Sequence, residues 1–546
     1  MKKFRPLKFG TSGLRDKVTA MIDIECYMNT KGFIRFLKGR GEIDKTHNNI
    51  VLGGDLRSST PRIMSAVARA IEDSGCKVIY CGYVPTPALA FYAMDKKAPG
   101  IMVTGSHVPD DRNGIKFTKR AGEILKTDEA DILSNVEFTR VEEYAKSQRE
   151  FLFDENGMFK AEYRLPEAEY EADAINMYIR RYLDVFKDKP LSGKKIVLYQ
   201  HSAVGRDIIQ KIFEGLGSTV IPVGRSSRFI PVDTEKVTRD TFALFQDMAG
   251  KHNPFAIITT DGDSDRPLLA DENGQFVSGD KLGTLVSMLL HPDFVAIPIS
   301  ANDAVVSSLE QKGIEVRQTR IGSPYVIDAM CDKLEECPVS KVVSWESNGG
   351  FLLGSDWTLD GSLLKALPTR DAVLPLICVL LSALEENITV SKLVTLKLPG
   401  RYTHADVIDN KTPGCEIYTA EMGKSIIKML SPGNSNINQV DFAEESLMVN
   451  GAEPDSGTIH NLADIKEKLL NYFTKERGFT DIVSINFLDG IRVKFSDNDV
   501  VHLRPSGNAP EFRMYATADT QEKANEMIEQ RREIISSIIQ DSLLSR

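Results

Sequence analysis

The sequence predicts an α/β protein with three similar mixed-sheet α/β domains followed by a C-terminal α+β domain. Its 546 residues exceed what one hydrophobic core organises, and chains of this length divide into roughly three to four domains. A unit of apolar strand, polar loop, helix, glycine and strand recurs through the first three quarters of the chain. The last quarter has instead a hairpin, a further strand and a terminal helix, which is typical of an α+β module.

The first copy of the recurring unit shows clear helix signals. An apolar strand over residues 49–52 leads into a polar loop over residues 53–59. Thr60 is expected to cap the next helix. Pro61 occupies the first helical turn, where the backbone N–H that proline lacks has no hydrogen-bond partner within the helix. Apolar residues then recur at helical spacing, and the helix is expected to end near Gly75.

Two further copies follow the same order. They consist of strand 195–199, helix 207–214 and strand 219–223, then strand 294–299, helix 303–311 and strand 314–317. Strands that alternate with short amphipathic helices predict βαβ units in parallel or mixed sheets. In such sheets, ligand-binding groups gather on the loops outside the strand ends.

The last quarter changes its pattern. Residues 485–488 and 491–495 are predicted to form a hairpin around a two-residue Asp-Gly turn that begins at Asp489. A strand over residues 500–503 and a helix after Thr520 complete this part of the chain. The predicted domains span residues 1–165, 166–280, 281–400 and 401–546.

Charge and hydropathy exclude several classes of protein. Lys and Arg number 67 and Asp and Glu 77, and this net charge of −10 with dispersed basic residues predicts no nucleic-acid partner. The longest apolar stretch, residues 372–384, is too short to cross a bilayer and predicts a buried helix, so no membrane partner is expected. The first residues carry positive charges without an apolar stretch behind them, so no secretory signal is expected. Seven scattered cysteines without metal-ligand spacing predict free buried thiols in a reducing cytoplasm.

A serine lies shortly after an apolar strand, where functional groups of α/β sheets gather. Residues 101–103 form that strand, Ser106 follows on a loop, His107 is its neighbour, and Lys116 comes further along. A serine hydroxyl needs activation to attack, or it already carries the group that it donates. Ser106 is therefore a candidate catalytic residue, and the alternative is a serine with no role beyond its turn.

Three carboxylates alternate directly after another apolar strand, over residues 255–259. Asp261, Asp263 and Asp265 would repel one another, and a divalent cation relieves such repulsion. Oxygen-only ligands favour Mg²⁺ or Ca²⁺ over zinc. A calcium loop of the EF-hand type is excluded, because Arg266 stands where that loop needs glycine and a strand precedes it. A phosphatase with a nucleophilic aspartate and a solvated acidic turn remain as alternatives.

Three further loops carry polar or charged groups. Arg504 and Arg513 flank a turn rich in hydroxyl, amide and backbone N–H donors. Such a set of donors suits a phosphate. The alternative is a tight surface turn with solvated arginines. Glu346 and Asn348 lie on a glycine-rich loop and could bind sugar hydroxyls, or this could be an ordinary polar loop. Arg15 follows a glycine-rich loop near the N-terminus.

These segments, taken together and in this order, resemble the α-D-phosphohexomutase family, and the resemblance covers Gly10 to Arg513. It implies four domains around a central cleft, each contributing one loop. It implies that Ser106 carries the phosphoryl group and, as a phosphate, joins Asp261, Asp263 and Asp265 in binding Mg²⁺. By the same resemblance Arg15, Lys116 and Arg266 would lie near the transferring group. The residues expected to bind substrate are Arg266, Glu346, Asn348, Arg504, Ser506, Gly507, Asn508 and Arg513.

The resemblance also implies an activity. Family members interconvert hexose 1-phosphates and hexose 6-phosphates through a hexose 1,6-bisphosphate, which serves as intermediate and activator. His107 and Lys116 are both candidates to exchange the sugar hydroxyl proton. Mannose is the expected sugar, and a mutase for glucose or another phosphohexose is the first alternative. A Mg²⁺-dependent phosphohydrolase and an inactive sugar-phosphate binder are alternatives of other classes. The chain is expected to be a monomer or a homodimer.

Two departures from the family pattern bear on the site. Asn508 and Ala509 replace the usual threonine and glutamate of the phosphate loop, and asparagine still donates to phosphate. The sugar loop ends in Gly349 and Gly350, without the histidine of some members. This ending and the later residues 367–372 are closest in appearance to bacterial phosphomannomutases.

Overall fold

The computed structural model describes residues 3–10, 13–165, 169–188, 190–398, 400–434, 436–442, 447–450, 454–506 and 511–544. The chain forms two compact units. The first unit consists of Met1–Pro298, Leu309–Arg317 and Gly322–Leu398, and the second of Ile299–Ser308, Gln318–Ile321 and Pro399–Arg546.

The first sheet of the first unit is mixed. Its strands are β1 (Gly13–Lys17), β2 (Asn49–Gly54), β3 (Lys77–Tyr83), β4 (Gly100–Val103), β5 (Arg112–Lys119) and β6 (Gly122–Glu123), and its helices are α1 (Asp23–Gly39), α2 (Thr60–Asp73), α3 (Thr86–Asp95) and α4 (Glu129–Ala145). The strand order is β1-β5-β4-β2-β3, with β6 beside β5. Because β2 runs parallel to β3 and β4, the loops after β2 and β4 lie at the same edge of the sheet.

The second sheet repeats this arrangement. Its elements are α5 (Asp173–Leu183), β7 (Lys195–Tyr199), α6 (Arg206–Gly215), β8 (Thr219–Val223), α7 (Arg239–His252), β9 (Ala256–Thr260), β10 (Pro267–Ala270) and β11 (Phe276–Val277). The strand order is β11-β10-β9-β7-β8, in which β7 is parallel to β8 and β9, and β10 is antiparallel to β9.

A third mixed sheet follows. Its elements are α8 (Gly279–Leu290), β12 (Phe294–Pro298), α9 (Asp303–Glu310), β13 (Glu315–Thr319), α10 (Ser323–Glu336), β14 (Val342–Trp345), β15 (Phe351–Leu353), β16 (Trp357–Leu359), β17 (Ser362–Leu364), β18 (Leu367–Asp371), α11 (Val373–Glu385) and α12 (Val390–Lys397). The strand order is β13-β12-β14-β15-β18, and β16 and β17 form a separate ribbon. Strand β14 is parallel to β12 and antiparallel to β15.

The second unit contains a seven-stranded antiparallel sheet with helices. Its elements are β19 (Tyr402–Ile408), α13 (Ala420–Met429), β20 (Gln439–Phe442), β21 (Leu447–Val449), α14 (Ser456–Tyr472), β22 (Ile482–Asn486), β23 (Ile491–Phe495), β24 (Val500–Pro505), β25 (Phe512–Ala518), α15 (Gln521–Glu529) and α16 (Arg531–Leu544). The strand order is β19-β25-β24-β23-β22-β20-β21. Three mixed α/β sheets and one α+β module confirm the predicted fold class, while the four domain boundaries stay predictions.

The hairpin of the last quarter differs from its prediction. Strand β22 ends at Asn486, which pairs with Arg492, so the connection is longer than the two residues expected. The Asn486 side chain accepts a hydrogen bond from the Leu488 N–H at 2.9 Å, and the Asp489 carboxylate accepts one from the Ile321 N–H at 2.9 Å. These side-chain bonds replace the ladder pairing of residues 487–490, so the prediction of a two-residue turn is wrong.

Two local predictions also need correction. Helix α2 starts at Thr60, and Ser59 holds the position before it. The Thr60 hydroxyl donates instead to Asp55 Oδ1 at 2.7 Å, so the assignment of Thr60 as the cap is wrong. All seven cysteines are free, but Cys331 is exposed and Cys337 half-buried, so the prediction that all are buried is wrong.

The apolar stretch near residue 372 forms a buried helix, as predicted. Val373, Leu376, Val379 and Leu380 of α11 are almost fully buried. No single helix in the described part of the chain has the length and apolar character needed to cross a membrane. Helices α11 and α12 pass that test of length and composition only as a pair, and they are bent by 88°.

Candidate active site

Ser106 lies in the loop that follows strand β4, and its side chain faces the aspartates. The residue is 1% exposed, and its backbone is left-handed, with a φ of 56°. Its hydroxyl donates to Asp261 Oδ2 at 2.5 Å, and its N–H donates to Thr104 Oγ1 at 2.8 Å. A left-handed φ is uncommon for a residue with a side chain, so this loop is shaped by its surroundings.

The three aspartates that follow strand β9 form a compact acidic cluster. Asp261, Asp263 and Asp265 are buried, and one oxygen from each lies within 4.8 Å of the others. Asp263 Oδ1 and Asp265 Oδ1 are buried without a hydrogen-bond partner among the described residues. Burial, reinforced by the charges of Asp263 and Asp265, raises the pKa of Asp261 well above its ordinary value. Buried oxygens without partners and mutual repulsion fit a divalent cation.

Lys116 of strand β5 partly neutralises this cluster. Its ammonium lies 2.7 Å from Asp263 Oδ2 and 2.7 Å from Asp265 Oδ2. Burial lowers the pKa of Lys116, but the two aspartates outweigh burial and leave it raised. Burial conversely raises the pKa of Asp263, but Lys116 outweighs it and leaves that pKa below its usual range. Lys116 is therefore a charged lysine in direct contact with two of the proposed metal ligands.

His107 and two arginines stand beside the serine. Arg266 donates from Nη1 to His107 Nδ1 at 3.1 Å, and the same ring nitrogen lies 3.4 Å from Ser106 Oγ. Burial, followed by the charges of Arg266 and Arg15, lowers the pKa of His107 to about 2. Burial and Arg266 lower the pKa of Arg15 to about 10. Arg266 and Arg15 both lie close enough to His107 to lower its pKa, and their positive charges suit an anionic group beside them.

The glycine-rich loop after strand β14 reaches the same cluster through an arginine that the sequence reasoning missed. Arg370 of strand β18 donates from Nε to Glu346 Oε2, and its Nη1 lies 3.9 Å from Asp265 Oδ2. Asn348 Oδ1 accepts a hydrogen bond from the Gly350 N–H at 3.0 Å, which fixes the turn. Glu346 is thus held in place by a buried cation.

Arg57 is a second residue that the sequence reasoning missed. It lies in the loop after β2, and its guanidinium donates from Nη2 to the Ser106 carbonyl at 2.7 Å. Parallel strands β2 and β4 end at the same edge of the sheet and their loops therefore meet, but this follows from a strand order that the sequence alone does not state. Neither composition nor spacing distinguished Arg57 from the other residues of its loop.

The predicted phosphate loop belongs to the second unit. Arg504 and Arg513 are direct partners on the antiparallel strands β24 and β25, and the Ser506 N–H donates to the Glu511 carbonyl at 2.8 Å. Each arginine also lies near a carboxylate: Arg504 Nε is 3.6 Å from Asp489 Oδ1, and Arg513 Nη2 is 3.5 Å from Glu511 Oε2. The predicted residues Gly507 and Asn508 lie outside the described residues.

The structure brings most of the predicted site residues of the first unit into one connected set. Its members are Arg15, Ser106, His107, Lys116, Asp261, Asp263, Asp265, Arg266 and Glu346. A buried hydroxyl beside clustered carboxylates and cations can bind a metal ion and a phosphoryl group together.

The chain is similar to phosphosugar mutases along most of its length. Models of phosphoglucomutase/phosphomannomutase match the α/β/α domain I over residues 6–142, the α/β/α domain III over residues 278–399 and the C-terminal domain over residues 448–534. A phosphomannomutase from Salmonella muenchen is 37% identical over 525 residues, which cover 96% of this chain and 94% of the relative. One from Sinorhizobium fredii (strain NBRC 101917 / NGR234) is 34% identical over 531 residues, which cover 97% and 99%.

A solved structure shares the fold. A phosphoglucomutase/phosphomannomutase family protein from Burkholderia thailandensis has a TM-score of 0.64 to this chain at 16% identity, over 97% of both chains. At this identity the likeness concerns the fold alone.

Proposed function

The chain belongs to the phosphoglucomutase/phosphomannomutase family of phosphosugar mutases, and we propose that it interconverts mannose 1-phosphate and mannose 6-phosphate with Ser106 as the phosphoryl carrier. The observation that carries the proposal is the Ser106 hydroxyl, buried and 2.5 Å from Asp261 in a cluster of three carboxylates. The names of the relatives at 37% and 34% identity support mannose as the sugar.

The proposed cycle begins with phosphorylated Ser106. A free hydroxyl of the hexose phosphate attacks the phosphorus, the bond between phosphorus and Ser106 Oγ breaks, and the sugar becomes a hexose 1,6-bisphosphate. The bisphosphate then reorients, and Ser106 Oγ attacks the phosphorus of its other phosphate. The bond between that phosphorus and the sugar oxygen breaks, the sugar oxygen takes up a proton, and the isomeric hexose phosphate leaves. Such transfers ask the protein chiefly for positioning and charge neutralisation.

Asp261, Asp263, Asp265 and the Ser106 phosphate would hold Mg²⁺. Asp263 Oδ1 and Asp265 Oδ1 support this assignment, because both are buried and accept no hydrogen bond from the described residues. When bound, Mg²⁺ supplies positive charge against the oxygens of the phosphoryl group. Hard oxygen ligands agree with magnesium rather than with zinc.

The cations Arg15, Lys116 and Arg266 would stabilise charge that develops on the phosphoryl group in flight. They also offset the repulsion that a net charge of −10 exerts on an anionic substrate. Two side chains can exchange the sugar hydroxyl proton: His107, whose Nδ1 is 3.4 Å from Ser106 Oγ, and Lys116.

The remaining predicted residues would bind the substrate. Glu346 and Asn348 are proposed to bind sugar hydroxyls, and Glu346 is held by Arg370 for that purpose. Arg504, Arg513 and Ser506, with Gly507 and Asn508, are proposed to bind a substrate phosphate. The paired arginines on β24 and β25 support this role, because bidentate guanidinium groups match phosphate oxygens.

The test offers mannose 1-phosphate and glucose 1-phosphate in parallel to the purified protein, with Mg²⁺ and a trace of the matching hexose 1,6-bisphosphate. We expect mannose 6-phosphate to form with the higher kcat/KM, and Ser106→Ala to form neither 6-phosphate. A preference for glucose 1-phosphate would make the chain a phosphoglucomutase. Release of free phosphate would indicate a hydrolase, and binding without turnover would indicate an inactive binder.

A further inference from the structure

Arg57 is a buried arginine whose side chain is fixed on two sides. Its Nε lies 3.1 Å from Asp55 Oδ2, and the pair is fully shielded from solvent. Its guanidinium carbon lies 3.9 Å from the centroid of the Phe229 ring, which belongs to the loop region after β8. Burial lowers the pKa of Arg57 from its ordinary value, while Asp55 opposes that shift. An arginine held in this way has few alternative rotamers.

The guanidinium of Arg57 donates to four backbone carbonyls of the loop that carries Ser106. Its Nη1 donates to the carbonyls of Pro109 at 2.8 Å and Arg112 at 2.9 Å. Its Nη2 donates to those of Ser106 at 2.7 Å and Val108 at 2.6 Å. The planar guanidinium group of Arg57 thus binds the backbone of the whole turn from Ser106 to Arg112. Lysine has a single ammonium and could not reach four carbonyls in this geometry.

The backbone of Ser106 is held on both sides by the Asp55–Arg57 pair. Its carbonyl is bound by Arg57, and its N–H donates to Thr104 Oγ1, whose hydroxyl in turn donates to Asp55 Oδ2 at 2.7 Å. These bonds stabilise the left-handed φ of 56° at Ser106. A side chain at Gly105 would meet Arg57, since its Cβ would lie 2.6 Å from the guanidinium carbon.

We propose that Arg57, oriented by Asp55, is a positioning residue for phosphoryl transfer: it fixes the left-handed turn that aims the Ser106 hydroxyl at the metal site. The inference rests on the proposed role of Ser106 as phosphoryl carrier. The hydrogen bonds that Arg57 donates to this loop all go to backbone carbonyls, so the inferred role is to position Ser106. The competing reading is a buried ion pair that contributes to stability alone.

The test compares Arg57→Lys with a matched control, Arg140→Lys. Arg140 is another buried arginine of the first unit, paired with Glu25 through three bonds of 2.7 to 2.9 Å. Its further polar partners among the described residues are Glu137 and the Phe4 carbonyl, neither of which belongs to the site. Both variants lose a buried guanidinium, so Tm should fall by similar amounts. We expect kcat to fall on the order of 100-fold in Arg57→Lys, with KM changed by less than about threefold, because misplacement of a nucleophile acts on the transition state. Arg140→Lys should keep the wild-type kcat.

Chemical rescue supplies a second readout. Arg57→Ala is assayed with and without added guanidinium chloride at a concentration below that which lowers Tm. Guanidinium ions should restore part of kcat, and methylguanidinium should serve equally well. The fraction of Ser106 phosphorylated by labelled hexose 1,6-bisphosphate should rise in parallel.

Two results would overturn the inference. One is that Arg57→Lys and Arg140→Lys have the same kcat when each variant is assayed at the same number of degrees below its own Tm. The other is a fall of kcat in both lysine variants in proportion to their loss of stability. If Arg57→Ala does not fold, Arg57→Lys alone decides between these results. Failure of the proposed function is a separate outcome, because then Ser106→Ala keeps wild-type turnover.

Discussion

The two oxygens of the Asp263 carboxylate have different surroundings. Oδ2 accepts hydrogen bonds from Lys116 at 2.7 Å and from Thr86 at 2.6 Å. Oδ1 is buried and has no partner among the residues described. A carboxylate that is fixed on one side and open on the other presents its second oxygen in a defined direction, which is how a preorganised metal ligand is built.

Asp263→Asn tests this ligand directly. The amide removes one negative charge and one of the proposed oxygen ligands, so the affinity for Mg²⁺ should fall on the order of 10- to 100-fold. Isothermal titration of the unphosphorylated protein with Mg²⁺ measures the change without any need for turnover. Asp271→Asn is the control, because Asp271 is also buried but accepts backbone N–H groups of the turn after β10. An unchanged affinity in Asp263→Asn would remove Asp263 from the ligand set.

Residues of the site were predictable where the groups that act together lie within a short stretch of sequence. The alternating aspartates after β9 are such a case, because their spacing alone forces the carboxylates together. Arg57 and Arg370 were not predictable in this way, since they act on partners 49 and 24 residues away in the chain. Contacts of this kind depend on which strands lie side by side, and a single sequence does not state the strand order.

At the scale of whole elements, helix α8 packs its first residue against the glycine-rich loop after β14. A Cβ on Gly279 would lie 2.2 Å from the Ser347 carbonyl oxygen and 2.4 Å from the Gly349 nitrogen. Backbone atoms cannot yield as a flexible side chain can. The position of this loop is therefore set by the absence of a side chain at the start of α8.

Gly279→Ala should displace the loop that carries Glu346 and Asn348. We expect kcat/KM for the phosphosugar to fall on the order of 10- to 100-fold because the substrate is misplaced, while the affinity for Mg²⁺ is retained. The control is Gly250→Ala in α7, where a Cβ meets no described atom within 4 Å. That variant should keep its activity and gain about 0.5–1 kcal/mol of helix stability, which thermal denaturation detects. Equal activity in the two variants would contradict the proposed role of the loop.

The predicted bounds of strands and helices agree best with the structure where these elements are buried. The predicted strands 195–199 and 219–223 have the bounds of β7 and β8, because continuous apolar runs between polar loops leave little choice of register. The hairpin near Asp489 failed because its turn is fixed by Asn486 and by a bond from Ile321. Such bonds join distant parts of the chain and override the local preference of an Asp-Gly pair.

On the scale of the whole molecule, stability depends on pH through buried histidines. His502 is 2% exposed and its Nε2 donates to the Asp489 carbonyl at 2.6 Å. Burial lowers the pKa of His502 to about 3, with Arg492 and Arg504 adding to the shift. The folded protein therefore keeps this imidazole neutral at pH values where the unfolded chain takes up a proton.

The sign of the effect follows from this difference. Above the unfolded pKa of about 6.5, the contribution of neutral His502 to the free energy of unfolding is fully present. As the pH falls from there toward 3, the free energy of unfolding decreases by about 1.4 kcal/mol per pH unit. The Tm of the wild type should therefore fall more steeply between pH 7 and pH 4 than that of His502→Gln, which has no such group. His460→Gln, at a position where the side chain is 85% exposed, is the control and should follow the wild type. Parallel curves for wild type and His502→Gln would contradict this account.

The left-handed turn at Ser106 also limits how its motif can be used in protein engineering. The short stretch around the serine looks self-contained in the sequence, yet its shape is imposed by Asp55 and Arg57 from another strand end. If only the residues next to the serine were grafted onto a new scaffold, the hydroxyl would be present but the interactions that orient it would be missing. The smallest portable unit is the pair of neighbouring parallel strands with both of their loops.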